Sequence, residues 1–217
     1  MNAWRQPPSR PRVIAGEVHL WLADLEAPGW PPASKLPPDE RERARRMRAP
    51  RARDRWVAAR WALRRVLGLY LDRDPADVRL SLAEHGKPEL AGERSLRFNL
   101  SHTGPRALVA VALDREVGVD IEAVDPERDV AGLARFAFSP EEAAALQAVP
   151  APRRPAAFHR AWVRKEAIAK CHGVGLAAEL PAGAVWVTPV DAGADVAAAL
   201  AASGEPVSHL ELFLLNP

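Results

Sequence analysis

Cysteine is almost absent from this 217-residue chain. Cys171 is the only one, so neither an intramolecular disulfide nor a thiolate metal site can be built. A reducing, cytoplasmic location is the expectation that follows. Long apolar runs are missing too. None reaches the length of a membrane span, and the opening MNAWRQPPSRPRVIAG lacks the apolar block of a secretory signal. No membrane partner is expected. Neither an internal repeat nor a low-complexity tail is present. Aromatic residues are sparse, and no set of them interleaves with the basic residues as base stacking on nucleic acid requires.

What is present is charge, unevenly placed. The formal net charge is only +2, yet eleven arginines stand between Arg41 and Arg65 against two acids, Glu42 and Asp54. That asymmetry points to an anionic partner: a nucleic acid, a phosphorylated small molecule or an acidic protein. The length suits one large domain or two small ones, each with an ordinary core.

Residues 17–25, EVHLWLADL, alternate so that Val18, Leu20 and Leu22 share a face, which predicts a strand. A Pro/Gly stretch breaks the chain after it. The basic region predicts two helices interrupted near Pro50. In the second, Trp56, Ala59, Leu63, Val66, Leu67 and Tyr70 recur at helical spacing and leave arginines on the other face. EHGKPEL (84–90) reads as a loop. Three extended runs follow, Leu96–Leu100, Leu108–Leu113 and Val117–Ile121, which predict an antiparallel meander. In a meander the first and third strands run the same way. Ser101/His102 and Asp120/Glu122 are therefore expected at one edge of the sheet.

FSPEEAAALQ predicts a helix with Ser139 as N-cap, Pro140 at the first helical position and Glu142 completing a capping box. AAFHRAWVRKEAIAKCHGVGL predicts another, with Phe158, Ala161, Trp162 and Ile168 inward and Gly173 near its end. A strand at Val185–Val187, an Ala-rich segment and HLELFLLNP complete the chain.

Three stretches carry possible chemistry. In GVDIE (118–122), Val117, Val119 and Ile121 face one way and Gly118, Asp120 and Glu122 the other. The two acids stand roughly 6–7 Å apart at the backbone, and their oxygens suit a hard divalent ion such as Mg²⁺. Gly118 leaves room for a ligand or another backbone. Taken alone, the same pattern is also plain solvent-facing decoration. WVRKEAIAK (162–170) places Glu166 and Lys170 one turn apart with Lys165 beside them. This is either an ordinary surface ion pair or a third carboxylate with cations for phosphate oxygens. FNLSHTG (98–104) puts Ser101 next to His102. Neighbours at a strand end point apart and no nucleophile elbow is present, so anion binding by the hydroxyl, the ring and turn amides suits it better than hydrolysis. An ordinary turn is the alternative, and Lys87 would add charge.

In chain order, PDERERARR…RDRWVAARWALRR, GKPEL, FNLSHTG, GVDIE, FSPEE and WVRKEAIAKCHGVGL resemble the Sfp-type 4′-phosphopantetheinyl transferases over roughly residues 36–176. GVDIE followed some forty residues on by W-x-x-K-E-A-x-x-K-x-x-G-x-G-L is the specific part. The resemblance implies an α+β fold of two similar α/β halves, 1–112 and 113–217, related by a pseudo-two-fold, with the active site in the cleft between them. It implies transfer of phosphopantetheine from coenzyme A to a serine of an apo acyl or peptidyl carrier protein, releasing 3′,5′-adenosine bisphosphate, by a monomer. Asp120, Glu122 and Glu166 would hold Mg²⁺, Glu166 would take the serine proton directly or through water, and Lys170 would stabilise the pyrophosphate. Ser101, His102, Lys87 and Arg55 would hold the nucleotide end, Arg43 matches a position that contacts the 3′-phosphate, and Lys165 adds a further cation toward coenzyme A.

There are two departures. Glu40 occupies a position that is basic in the family. The chain also stops after LELFLLNP where relatives add a closing strand, so an exposed sheet edge is expected there. Two other functions compete: a nucleic-acid-binding module on the Arg41–Arg65 region, and a Mg²⁺-dependent hydrolase of a nucleotide pyrophosphate using the same acids.

Overall fold

The computed structural model describes residues 3–83, 86–175 and 183–217. Glu84 and His85 of the predicted loop and Leu176 of the GVGL run lie outside the described residues. The chain opens with strand β1 (Glu17–Asp24), then the basic helices α1 (Pro38–Arg46) and α2 (Pro50–Leu71). Each helix begins on a proline at its first position, where the missing N–H costs nothing. The hairpin β2 (Leu80–Leu82) and β3 (Pro88–Leu90) follows, so the PEL of the predicted loop is strand. Next come β4 (Leu96–Thr103), β5 (Arg106–Leu113) and β6 (Val117–Ala123). Helices α3 (Val130–Ala137), α4 (Pro140–Ala148) and α5 (Arg154–His172) precede β7 (Val185–Pro189), β8 (Val196–Ser203) and β9 (His209–Leu215). The predicted capping box of α4 is present on both sides, and Gly173 ends α5 in the left-handed conformation at φ 71°.

The fold is α+β. One sheet has the order β4-β5-β1-β9 and another β6-β8-β7. Helix α2 covers the outer face of the first, where Ala59, Leu63, Val66 and Leu67 meet Trp21, Phe98, Val109 and Val111. Helix α5 covers the second, where Val163, Ala167 and Cys171 meet Ala197, Ala199 and Ala201. The remaining faces share one core: Val18, Leu20, Leu108 and Ala110 pack with Val119, Ile121, Ala198 and Leu200. The layers are thus helix, sheet, sheet, helix.

The predicted meander is corrected. β4 and β5 pair antiparallel, but β1 takes the other edge of β5. With that edge filled, β6 leaves for the second sheet and pairs with β8. It still runs beside β4 in the same direction. The backbone N–H groups of Val119, Ile121 and Ala123 donate to the side chains of Asn99, Ser101 and Thr103. Alternate side chains of β4 thereby satisfy the edge of β6 in place of a backbone ladder. Ser101 and Asp120 come together by this route.

Three further expectations change. The Ala-rich segment forms β8, the central strand of the second sheet, because small side chains let α5 settle close to it. On α5, Ala161, Trp162 and Ile168 are only half-buried, and the sheet-facing row is Val163, Ala167 and Cys171. The outer edge of β9 is not bare. Arg5 donates to Leu212 O at 3.0 Å and accepts from Leu214 N at 2.8 Å. None of the helices among the described residues is long and apolar enough to cross a membrane.

Candidate active site

Gly118 begins the arrangement. A Cβ there would stand 2.0 Å from the carbonyl oxygen of Ala167, so only glycine lets α5 lie directly on β6. The close approach anticipated at Gly118 is therefore that of a helix backbone. It brings the polar residues of the two elements within reach. Lys170 Nζ donates to Asp120 Oδ1 at 2.6 Å and to Ser101 Oγ at 3.2 Å. Ser101 Oγ donates to the same Asp120 oxygen at 2.8 Å. Asp120 is 2% exposed, and its other oxygen, Oδ2, is buried without a partner.

Glu122 and Glu166 are half-buried beside this group. Loss of hydration, then the Asp120 charge, holds the Glu122 carboxyl above its ordinary range. Loss of hydration does the same to Glu166, with Lys170 opposing it and Asp120 adding to it. The three acids therefore feel one another, and Lys170 serves as their shared cation. They are not closed to ligand spacing: among the described residues no three His, Cys, Asp or Glu side chains are grouped tightly enough to hold an ion. The donor chemistry nonetheless fits a hard cation. All are carboxylate oxygens, one lacks any partner, and their mutual repulsion is what a divalent ion relieves.

His102 adjoins on β4. By area it is exposed, yet protein atoms crowd it enough that lost hydration, then Lys170, Arg60 and Arg43, lower its pKa. Two of those cations line a cleft of about 1000 Å³ between α1, α2 and the β2–β3 hairpin, with Lys35, Trp56, Arg79 and Gly86 on its walls. That volume suits a ligand of nucleotide size. Arg43 stacks over the Trp56 ring at 5.3 Å. Another cleft, about 630 Å³, is lined by Leu25, Trp30, Arg41 and Val57; neither cleft has Asp120, Glu122 or Glu166 in its walls.

The structure brings together Asp120, Glu122, Glu166, Lys170, Ser101 and His102, with Arg43 nearby. It does not bring three of the predicted cations to this group. Arg55 pairs with Glu26, which also takes Arg51. Lys87 donates to Glu116 Oε2, Val117 O and Cys171 O, which occupies all three of its N–H groups. Lys165 pairs with Glu142 at 2.8 Å and lies over the Phe138 ring.

Sequence reasoning missed Arg60 and the purpose of Glu40. Glu40 is 6% exposed and lies between two arginines of α2. It accepts from Arg60 Nε at 3.0 Å and from Arg64 Nε and Nη2 at 3.1 Å. An acid at that position organises cations on the neighbouring helix. The i,i+4 spacing of Arg60 and Arg64 along an otherwise apolar helix face was the available signal.

A cleft walled by arginines, two of which act on His102 as Lys170 does, and carboxylates that share that lysine supply the cations and acids that phosphoryl transfer uses. The comparisons agree. A model of the 4′-phosphopantetheinyl transferase superfamily matches residues 116–203. The 4′-phosphopantetheinyl transferase HetI of Nostoc sp. is 37% identical over 182 residues, 81% of this chain and 77% of that protein. The 4′-phosphopantetheinyl transferase AcpT of Escherichia coli K12 is 38% identical over 141 residues, 65% of this chain and 67% of that one. A Bacillus subtilis 4′-phosphopantetheinyl transferase is 29% identical over 168 residues, 77% and 69% of the two chains. The chain belongs to the 4′-phosphopantetheinyl transferase superfamily.

Proposed function

We propose that this enzyme moves the phosphopantetheine arm of coenzyme A onto a serine of an apo acyl or peptidyl carrier protein, with Mg²⁺ held by Asp120, Glu122 and Glu166. The single observation that carries the site assignment is Asp120: buried, clamped through Oδ1 by Ser101 and Lys170, and left with a free Oδ2. A bound magnesium ion would neutralise the diphosphate as charge builds on the leaving oxygen.

The rest is work for the chain's own residues. The carrier serine oxygen attacks the phosphorus that bears pantetheine, and the bond from that phosphorus to the bridging oxygen breaks. 3′,5′-Adenosine bisphosphate leaves with that oxygen. The serine proton passes to Glu166, directly or through water. Lys170 offers its ammonium to the phosphate oxygens. Arg43 and Arg60, which act on His102 as Lys170 does, meet the nucleotide phosphates. The nucleotide end thus belongs to residues 1–112 and the acids to residues 113–217.

The nucleic-acid reading loses support from the arginines themselves. Arg51 and Arg55 are held by Glu26, and Arg45 and Arg46 by Glu42. A stripe of free cations along a phosphate backbone is not what these pairs present. We place the protein in the cytoplasm as a monomer, working on soluble carriers.

The test is a mass measurement. Apo carriers of fatty-acid, polyketide and peptide type are each incubated with the protein, coenzyme A and Mg²⁺. A carrier should gain the mass of phosphopantetheine. Coenzyme A hydrolysis with no gain on any carrier would transfer the site to the hydrolase reading.

A further inference from the structure

We propose that Lys170 is a built-in counter-cation for Asp120, which keeps the carboxylate site weak for a free divalent ion and makes the ion enter together with the substrate diphosphate. The inference rests on the magnesium reading above.

Its basis is the clamp on Asp120. A carboxylate 2% exposed cannot stay charged without a partner. Lys170 is that partner at 2.6 Å, with the Ser101 hydroxyl as second donor to the same oxygen. Both donors fall on Oδ1 and none on Oδ2, so the carboxylate is neutralised without being filled. A divalent ion approaching Oδ2 alone meets the ammonium of Lys170 across one carboxyl group. Either the two cations repel, or Lys170 must leave for water and abandon its hydrogen bonds.

A diphosphate changes this balance. The Lys170 side chain is 31% exposed, unlike that of Asp120 at 3%, so its ammonium can turn outward while the acid stays in place. Phosphate oxygens give it an anionic partner of equal quality. Asp120 then exchanges one positive charge for two, and Glu122 and Glu166 gain a cation for the repulsion they now share. By linkage, coenzyme A and the divalent ion each tighten the binding of the other.

The experiment titrates Mn²⁺ into the full chain without carrier, reading free Mn²⁺ by its electron paramagnetic resonance signal, with and without coenzyme A. Wild type should bind Mn²⁺ at least about tenfold more tightly when coenzyme A is present. Lys170→Met should bind Mn²⁺ without coenzyme A at least about tenfold more tightly than wild type, with a smaller gain on adding coenzyme A. Its melting temperature should also rise further than that of wild type on adding Mn²⁺. Lys170→Gln, which keeps a donor and loses the charge, serves where Lys170→Met is unstable, with the same outcomes expected. Lysine variants with unchanged or weaker Mn²⁺ affinity in the absence of coenzyme A overturn the proposal. So does a wild-type affinity that coenzyme A leaves unchanged. A wild type that takes up no Mn²⁺ even with coenzyme A removes the magnesium reading itself, which is a separate result.

Discussion

Gly118 lies directly beneath Cys171: a side-chain carbon on the glycine would stand 2.3 Å from the backbone nitrogen of that cysteine. The contact is backbone on backbone, so no rotamer change can relieve an added methyl group. Gly118→Ala should push α5 away from β6 and carry Glu166 and Lys170 with it. We expect a loss of about 1–3 kcal/mol or more, the usual range for overpacking. Transfer activity should fall in parallel. Urea denaturation together with the carrier-mass assay checks this, and a variant normal in both would mean that α5 does not need its present seat.

The buried acid of α1 supports the cleft wall. Glu40→Gln leaves Arg64, 2% exposed, without its counter-charge. Breaking a buried pair on one side costs about 3–5 kcal/mol. Arg60, released from the same acid, should hold coenzyme A less well. We expect a lower denaturant midpoint together with a raised KM for coenzyme A. A midpoint shift without any KM change would confine Glu40 to stability.

His102 offers a pH readout. Partial loss of hydration, then Lys170, Arg60 and Arg43, lowers its pKa from the ordinary 6.5. The unfolded chain therefore takes up the proton first as pH falls. Above 6.5 the ring contributes nothing to pH dependence; from 6.5 down to the folded value it lowers stability; below that value its effect is constant. His102→Asn should flatten this part of the stability profile. Adding 3′,5′-adenosine bisphosphate should move the ring's pKa upward in an NMR titration, because phosphate offsets the arginines. An unmoved ring would place the nucleotide elsewhere.

The proposed function gives the acids different work, and variants should separate it. Glu166→Gln should keep measurable coenzyme A affinity while turnover falls by about two to four orders of magnitude, the usual worth of a positioned base. Asp120→Ala should abolish transfer. Near-normal turnover in the aspartate variant would remove it from the metal set, and in the glutamine variant would move the base elsewhere.

Much of this was legible in the chain. The Ser139–Glu142 capping box, the break between α1 and α2 at Pro50 and the end of α5 at Gly173 are all local events, set by backbone sterics and side chains a few residues away. The ordered motifs identified the superfamily before any packing was visible. Other features were not legible. β8 is an alanine strand of weak intrinsic preference, held by burial between α5 and the first sheet. The meander failed because β1, ninety residues earlier by pairing, claims the edge of β5 that β6 would have needed.

The candidate site divides the same way. Asp120, Glu122 and Glu166 could be nominated from carboxylate chemistry and spacing, since oxygen donors on one strand face and a helical acid are visible in the letters. Which cations join them was settled by contact alone. Lys87, Arg55 and Lys165 read as free charges, yet each is taken by an acid distant in sequence: Glu116, Glu26 or Glu142. Arg60 became part of the cleft because Glu40 holds it. The sequence by itself determined the elements, the family and the acids, because those depend on short-range preference and chemical type. Only the tertiary structure decided which charges remain available, because a charge is free or paired according to what folding places within a few ångströms of it.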